Sequence, residues 1–201
     1  MKKSLGALTP AMPLPVWVIG SYGGDGAPCL MTAAWCGVCC SEPPCVAVAV
    51  RNSRLTHANI AARGAFTVNI SSERYAAETD YCGLVSGRDT DKFAATGLTA
   101  VGSELVDAPY IEEFPLVLEC SVQKTVELGS HTLFIGRVVD AKADTAVLGE
   151  NGMPDMARVK PLACSPADRN YYAVGRLLGG TYSLGRGLTG KKTDDNNKER
   201  G

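Results

Sequence analysis

The chain has 201 residues and a formal net charge of −1 at pH 7. That length suits one domain with a substantial core, and the near-neutral balance excludes a nucleic-acid partner held by bulk electrostatics. With 45% hydrophobic and 20% charged residues it excludes a disordered chain, and no apolar stretch approaches the length of a bilayer span.

The opening Met1-Lys2-Lys3 is followed by Pro10, Pro13 and Pro15 with no unbroken apolar run. It does not read as an export signal, so a cytoplasmic location is expected. Eight cysteines stand at 29, 36, 39, 40, 45, 82, 120 and 164. In a reducing compartment they are expected to be free thiols that pack as small hydrophobes.

Val16 to Tyr22 reads as the first strand, closed by the turn signal Gly23-Gly24-Asp25-Gly26. A second strand is expected from about Cys29 to Trp35. After the break Ser41-Glu42-Pro43-Pro44, Cys45 to Val50 has the length and composition of a buried strand. A helix follows, with Asn52 or Ser53 as N-cap, apolar positions Leu55, Ala58 and Ala62, and Gly64 as its stop. Ala65 to Ile70 is another strand, Glu73 to Tyr81 is helical, and Asp89 to Ala95 forms a short helix ended by Gly97. Farther on, Leu116, Leu118, Cys120, Val122 and Val126 alternate with mostly polar residues, and a turn at Gly129-Ser130 leads into Thr132 to Ala141. That pattern predicts a long hairpin. Segments near Cys164 and from Asn170 to Val174 add edge strands. The tail 185–201, rich in Gly, Lys, Asp and Asn, is expected to be flexible, which leaves 1–184 as the folded domain. Strands dominate, so a closed antiparallel barrel with short helical insertions is the expected architecture.

There is no GxGxxG after a strand, no P-loop, no HExxH and no GxSxG elbow. The local clusters that remain are of five kinds. Thr32-Ala33-Ala34-Trp35 pairs small residues with one large aromatic, which suits the wall of a flat ring and equally a core tryptophan. Arg51-Asn52-Ser53-Arg54-Leu55-Thr56 joins a strand to a helix with hydroxyls and cations, which suits a phosphate monoester or a plain N-cap. Ser86-Gly87-Arg88-Asp89-Thr90-Asp91-Lys92 is a second donor-rich loop, with aspartates that could instead neutralise its cations. His131 follows the hairpin turn, where it could bring a charge or a donor to a ligand or simply be solvated. Cys36-Gly37-Val38-Cys39-Cys40 has CxxC spacing without a second close pair, so a metal centre is not expected.

Taken in order, residues 31–60, 66–70, 80–98 and 118–139, and more weakly 166–179, resemble the flavin reductase-like family of FMN-binding split barrels. Within it they are most similar to the flavoredoxin branch. The blocks around Asp80 to Phe93 and Glu127 to His131 are the most specific. The resemblance implies a six-stranded antiparallel Greek-key split β-barrel that forms a homodimer and binds FMN near the interface. It implies that Cys29, Met31, Thr32, Ala33 and Trp35 line the isoalloxazine ring. Arg51, Ser53 and Thr56 would hold the phosphate, Ser86, Gly87 and Lys92 would complete the pocket, and His131 would reach the flavin from the hairpin. The implied function is an FMN-dependent oxidoreductase taking electrons from NAD(P)H or a ferredoxin-like protein, with no separate acid or base. The alternatives are a non-catalytic FMN carrier or sensor, and a zinc or thiol protein built on the cysteine cluster. If Cys36 or Cys39 faces the ring, thiol chemistry joins that of the flavin.

Overall fold

The computed structural model describes residues 1–188, so most of the tail expected at 185–201 lies outside the described residues. Strands are β1 (Leu14–Pro15), β2 (Trp17–Tyr22), β3 (Pro28–Ala33), β4 (Cys36–Ser41) and β5 (Pro44–Arg51). Helix α1 (Leu55–Arg63) leads into β6 (Ala65–Ile70), followed by α2 (Ala76–Leu84) and α3 (Lys92–Thr96). Then come β7 (Ala100–Gly102), β8 (Pro109–Ile111), β9 (Leu116–Leu128) and β10 (His131–Ala143), with α4 (Met156–Val159), β11 (Leu162–Ser165) and β12 (Asn170–Ala173) closing the order.

The protein is mainly β. Hydrogen bonding gives a seven-stranded sheet in the order β3-β2-β6-β9-β10-β5-β4, a three-stranded sheet β1-β11-β12 and a small β7-β8 pair. The expected six-strand closed barrel is therefore replaced by seven strands whose outermost members, β3 and β4, do not pair. The extra strand is the cysteine run itself. The chain leaves the ladder at Ala34 and Trp35, and Cys36–Ser41 then pairs back onto β5 through the Glu42-Pro43 turn. The segments near Cys164 and Asn170 do form strands, but in a sheet of their own with β1, where β12 is an edge and β11 the central strand rather than the expected edge.

Period-two alternation explains why the central strands read as continuous apolar runs: both faces are covered. On β2, Ile19 enters one core cluster with Val48, Phe66, Cys120 and Phe134. Its neighbour Val18 enters a second cluster with Leu30, Cys82, Phe93, Ile111 and Phe114. Helix α1 buries Thr56, Asn59 and Ile60, a spacing that keeps one face inward. Its N-cap is Arg54 rather than the expected Asn52 or Ser53, and the cap makes no side-chain bond, whereas Gly64 does stop it at φ 64°. No helix among the described residues is long and apolar enough to cross a membrane.

Candidate functional site

Two adjacent cavities open where the end of β3, the end of β5, the start of α1, the end of α2 and the tip of the β9–β10 hairpin converge. The larger is about 650 Å³ and the smaller about 170 Å³. Met31 and Arg54 line both.

The larger cavity has an apolar floor of Met31, Ala33, Ala34, Ala49 and Val50, with Trp35 and Thr32 in its wall. Trp35 keeps 48% of its surface exposed, because it sits at the corner between β3 and β4 rather than within a strand. Thr32 is fixed from behind by its hydroxyl, which donates to the Thr79 carbonyl of α2. Sheet register brings His131 directly opposite Arg51, and both line this cavity. Burial first, and then the nearby Arg51 guanidinium, hold the His131 imidazole below its ordinary pKa. At neutral pH it therefore offers a ring nitrogen rather than the positive charge considered from sequence; its Nδ1 lies 2.9 Å from the Ser130 hydroxyl.

The far wall comes from the small sheet: Cys164, Ser165, Pro166, Arg169, Asn170 and Tyr171. The Tyr171 hydroxyl donates to Asp80 Oδ1 at 3.0 Å and ties β12 to α2. Burial and that bond both push the phenol pKa up.

The smaller cavity has a different chemistry. Its lining includes the hydroxyls of Ser53, Thr56 and Ser86 and the cations of Arg54, Arg88 and Lys92, and no carboxylate. Gly87 also lines it; a Cβ there would stand 2.6 Å from the Cys29 sulfur, so any side chain at this position would force Cys29 to shift. The two loops are cross-braced. Arg88 Nη1 donates to the Ser53 carbonyl at 3.0 Å, and Arg54 Nη2 donates to the Gly83 carbonyl at 3.2 Å. Lys92 is only 4% exposed, and its ammonium donates to the carbonyls of Leu30 at 2.8 Å and Cys82 at 2.6 Å. That desolvation lowers its pKa. A phosphate monoester fits such a donor set, and a flat aromatic ring fits the apolar floor next to it.

Every site residue singled out from sequence lines one of these cavities, but not always the expected one. Cys29 lies in the donor-rich cavity, where burial raises its thiol pKa, and away from the Ala33–Trp35 wall. Arg51 lies in the apolar cavity beside His131, and Arg54 occupies the junction instead. Sequence reading passed over Arg54 as a site residue although it stands in the same loop, because nothing local says which arginine turns inward. It also missed Gly83, Leu84 and the Cys164–Tyr171 wall, which reach the cavity only through long-range packing. Neither Cys36 nor Cys39 lines either cavity; the thiols that do are Cys164 in the larger and Cys29 in the smaller. Among the described residues no group of three or more His, Cys, Asp or Glu is placed to hold a metal ion.

Comparison with known proteins gives concordant findings. The model of the flavin reductase like domain matches residues 9–166. The solved flavoredoxin of Desulfovibrio vulgaris (Miyazaki F) is 46% identical, superposes with a TM-score of 0.88, and the match covers 92% of this chain and 100% of that one. The flavoredoxin of Methanosarcina acetivorans is 32% identical with a TM-score of 0.88, over 94% of this chain and 99% of that one. A high molecular weight rubredoxin of Moorella thermoacetica is 35% identical over 103 residues, which is 50% of this chain and 44% of that protein.

Proposed function

The chain belongs to the flavin reductase like family, and from that premise we propose that it binds FMN across the paired cavities and works as a flavin-dependent electron-transfer protein or reductase. The observation that carries this reading is the division of the site. A carboxylate-free pocket of cations and hydroxyls adjoins an apolar pocket of suitable size for a flat ring.

In this reading Ser53, Arg54, Thr56, Ser86 and Lys92 hold the phosphate, and Gly87 lets the backbone approach it. Met31, Ala33 and Trp35 would support the ring, with Arg51 from the end of β5 and His131 from the hairpin tip beside them. FMN supplies the chemistry, accepting a hydride or electrons from a donor and passing them on. The protein binds, orients and partly dries the cofactor. In this reading NAD(P)H docks against the open side of the larger cavity. The flavoredoxin neighbours and the partial match to a rubredoxin-named protein support a small redox protein as the other class of donor. Exposed apolar side chains, among them Trp35, Leu177 and Leu178, support burial against a second copy in a homodimer.

The test is an absorbance spectrum of the purified chain with and without added FMN, followed by anaerobic NADH, NADPH and reduced ferredoxin in separate cuvettes. Flavin bands that bleach with one donor are expected. Bound FMN that no donor bleaches would make the protein a carrier or sensor, and a chain that takes up no FMN overturns the reading. Arg54→Ala is expected to weaken FMN binding roughly ten- to a hundredfold, the loss of one charge-assisted hydrogen bond.

A further inference from the structure

The cysteine run that the flavin site leaves unused has its own geometry. On β4 and β5 the pairs Gly37↔Ala47 and Val38↔Val46 are followed by Cys40↔Cys45 and Ser41↔Pro44. Between Val38 and Cys40 the ladder slips by one residue, so β4 advances two positions while β5 advances one. Cys39 is the residue this bulge leaves without a partner of its own, and Cys40 stands directly opposite Cys45. Opposed residues in an antiparallel pair have Cα atoms about 4.5–5.5 Å apart. Disulfides bridge Cα separations of about 4.4–6.8 Å.

Access is graded in the order that an exchange reaction needs. Cys39 and Cys40 are exposed at the sheet edge, whereas Cys45 is 6% exposed beneath them. The Cys40 sulfur lies over the turn, 3.4 Å from the Glu42 carbonyl. All of these cysteines are free thiols. The Cys39 thiol pKa is raised, first by desolvation and then by the neighbouring Cys45 and Cys40 thiols.

We propose that Cys40 and Cys45 are a redox-active pair that closes reversibly to a cross-strand disulfide by exchange with low-molecular-weight disulfides. The exposed Cys40 thiolate attacks one sulfur of the small disulfide, forming a mixed disulfide and releasing one small thiol. The Cys45 thiolate then attacks the Cys40 sulfur and releases the second. Two protein thiols become one disulfide, and the small disulfide takes up both electrons and both protons as two thiols. Closure links edge strand β4 covalently to β5, on the strand that begins immediately after the pocket-wall residue Trp35. The reaction requires no flavin, so it stands or falls apart from FMN binding.

The experiment incubates the full chain with graded mixtures of oxidised and reduced glutathione. Remaining thiols are blocked with one alkylating reagent, disulfides are reduced, and the new thiols are labelled with a second reagent for sequencing mass spectrometry. Wild type is expected to carry the second label on Cys40 and Cys45 together. Cys39→Ser is expected to retain that pairing, and Cys40→Ser to lose it at least tenfold. Cys45→Ser is expected to accumulate glutathione on Cys40; should that buried variant fail to fold, the exposed Cys40→Ser carries the test alone. A wild-type chain that keeps glutathione on Cys40 with Cys45 free, that links Cys39 to Cys45 instead, or that shows no oxidation at either residue overturns the proposal.

Discussion

Lys92 illustrates how a single side chain serves both the fold and the site. Its ammonium is buried against the Leu30 and Cys82 carbonyls, so it joins β3 to the end of α2 whether or not a phosphate is present. Lys92→Met removes a charge-assisted donor from these acceptors, and roughly 2–3 kcal/mol of stability should go with it. Thermal unfolding of the flavin-free protein checks this, and an unchanged midpoint would assign Lys92 to ligand binding alone. From sequence Lys92 was legible as a cation on a donor-rich loop. Its burial was not, because the carbonyls it meets lie 62 and 10 residues away.

Among the elements, the β9–β10 hairpin sets the geometry of the site. Its register places His131 at the tip opposite Arg51, and its irregularity between Ile135 and Gly136 bends the ladder over the core. A Cβ at Gly136 would stand 2.5 Å from Phe66 Cζ and 3.0 Å from Cys120 Cβ, atoms of side chains with no exposed surface. Gly136→Ala should therefore destabilise by about 2 kcal/mol through overpacking, read as a lower denaturant midpoint with an unchanged slope. The hairpin itself was plain from alternation and the Gly129-Ser130 turn. The glycine requirement was not, since Phe66 approaches from β6. In the same way the break at Ser41–Pro44 was legible as a turn, while Cys36–Ser41 as a separate edge strand depended on pairing with β5.

At the scale of the whole molecule, one charge cluster ties β9 to β10. Glu119 on β9 has no exposed side-chain surface, and Lys142 on β10 donates to its Oε2 at 2.5 Å and to Asp140 Oδ2 at 3.0 Å. Glu119 Oε1 has no partner, so the carboxylate depends on Lys142. Lys142→Met should cost ~3 kcal/mol, the low end for breaking a buried pair, because Lys142 is itself 41% exposed. Chemical denaturation measures it. The bond from Lys142 also holds the Asp140 carboxyl below its usual pKa. A group depressed in the folded state adds stability that is present above its unfolded pKa, near 4, and is lost as pH falls through the lower folded value. Wild type should thus lose stability on acidification below about pH 4. Lys142→Met should lose less over that interval, and equal losses would separate Asp140 from the effect.

The sequence by itself determined the mainly β character, the long hairpin, the helix stops at Gly64 and Gly97, and the donor-rich loops that now line two cavities. These follow from local rules: alternation, turn chemistry and backbone freedom act within a few residues of one another. Only the tertiary structure decided that Cys29 and Arg51 belong to different cavities, that Arg54 stands at their junction, and that Cys164 to Tyr171 close the far wall. It likewise decided that Cys40 meets Cys45 across a bulge and that Glu119 is buried on a face that reads as polar. Each of these depends on register or close packing between distant segments, where a shift of one residue changes which side chains meet.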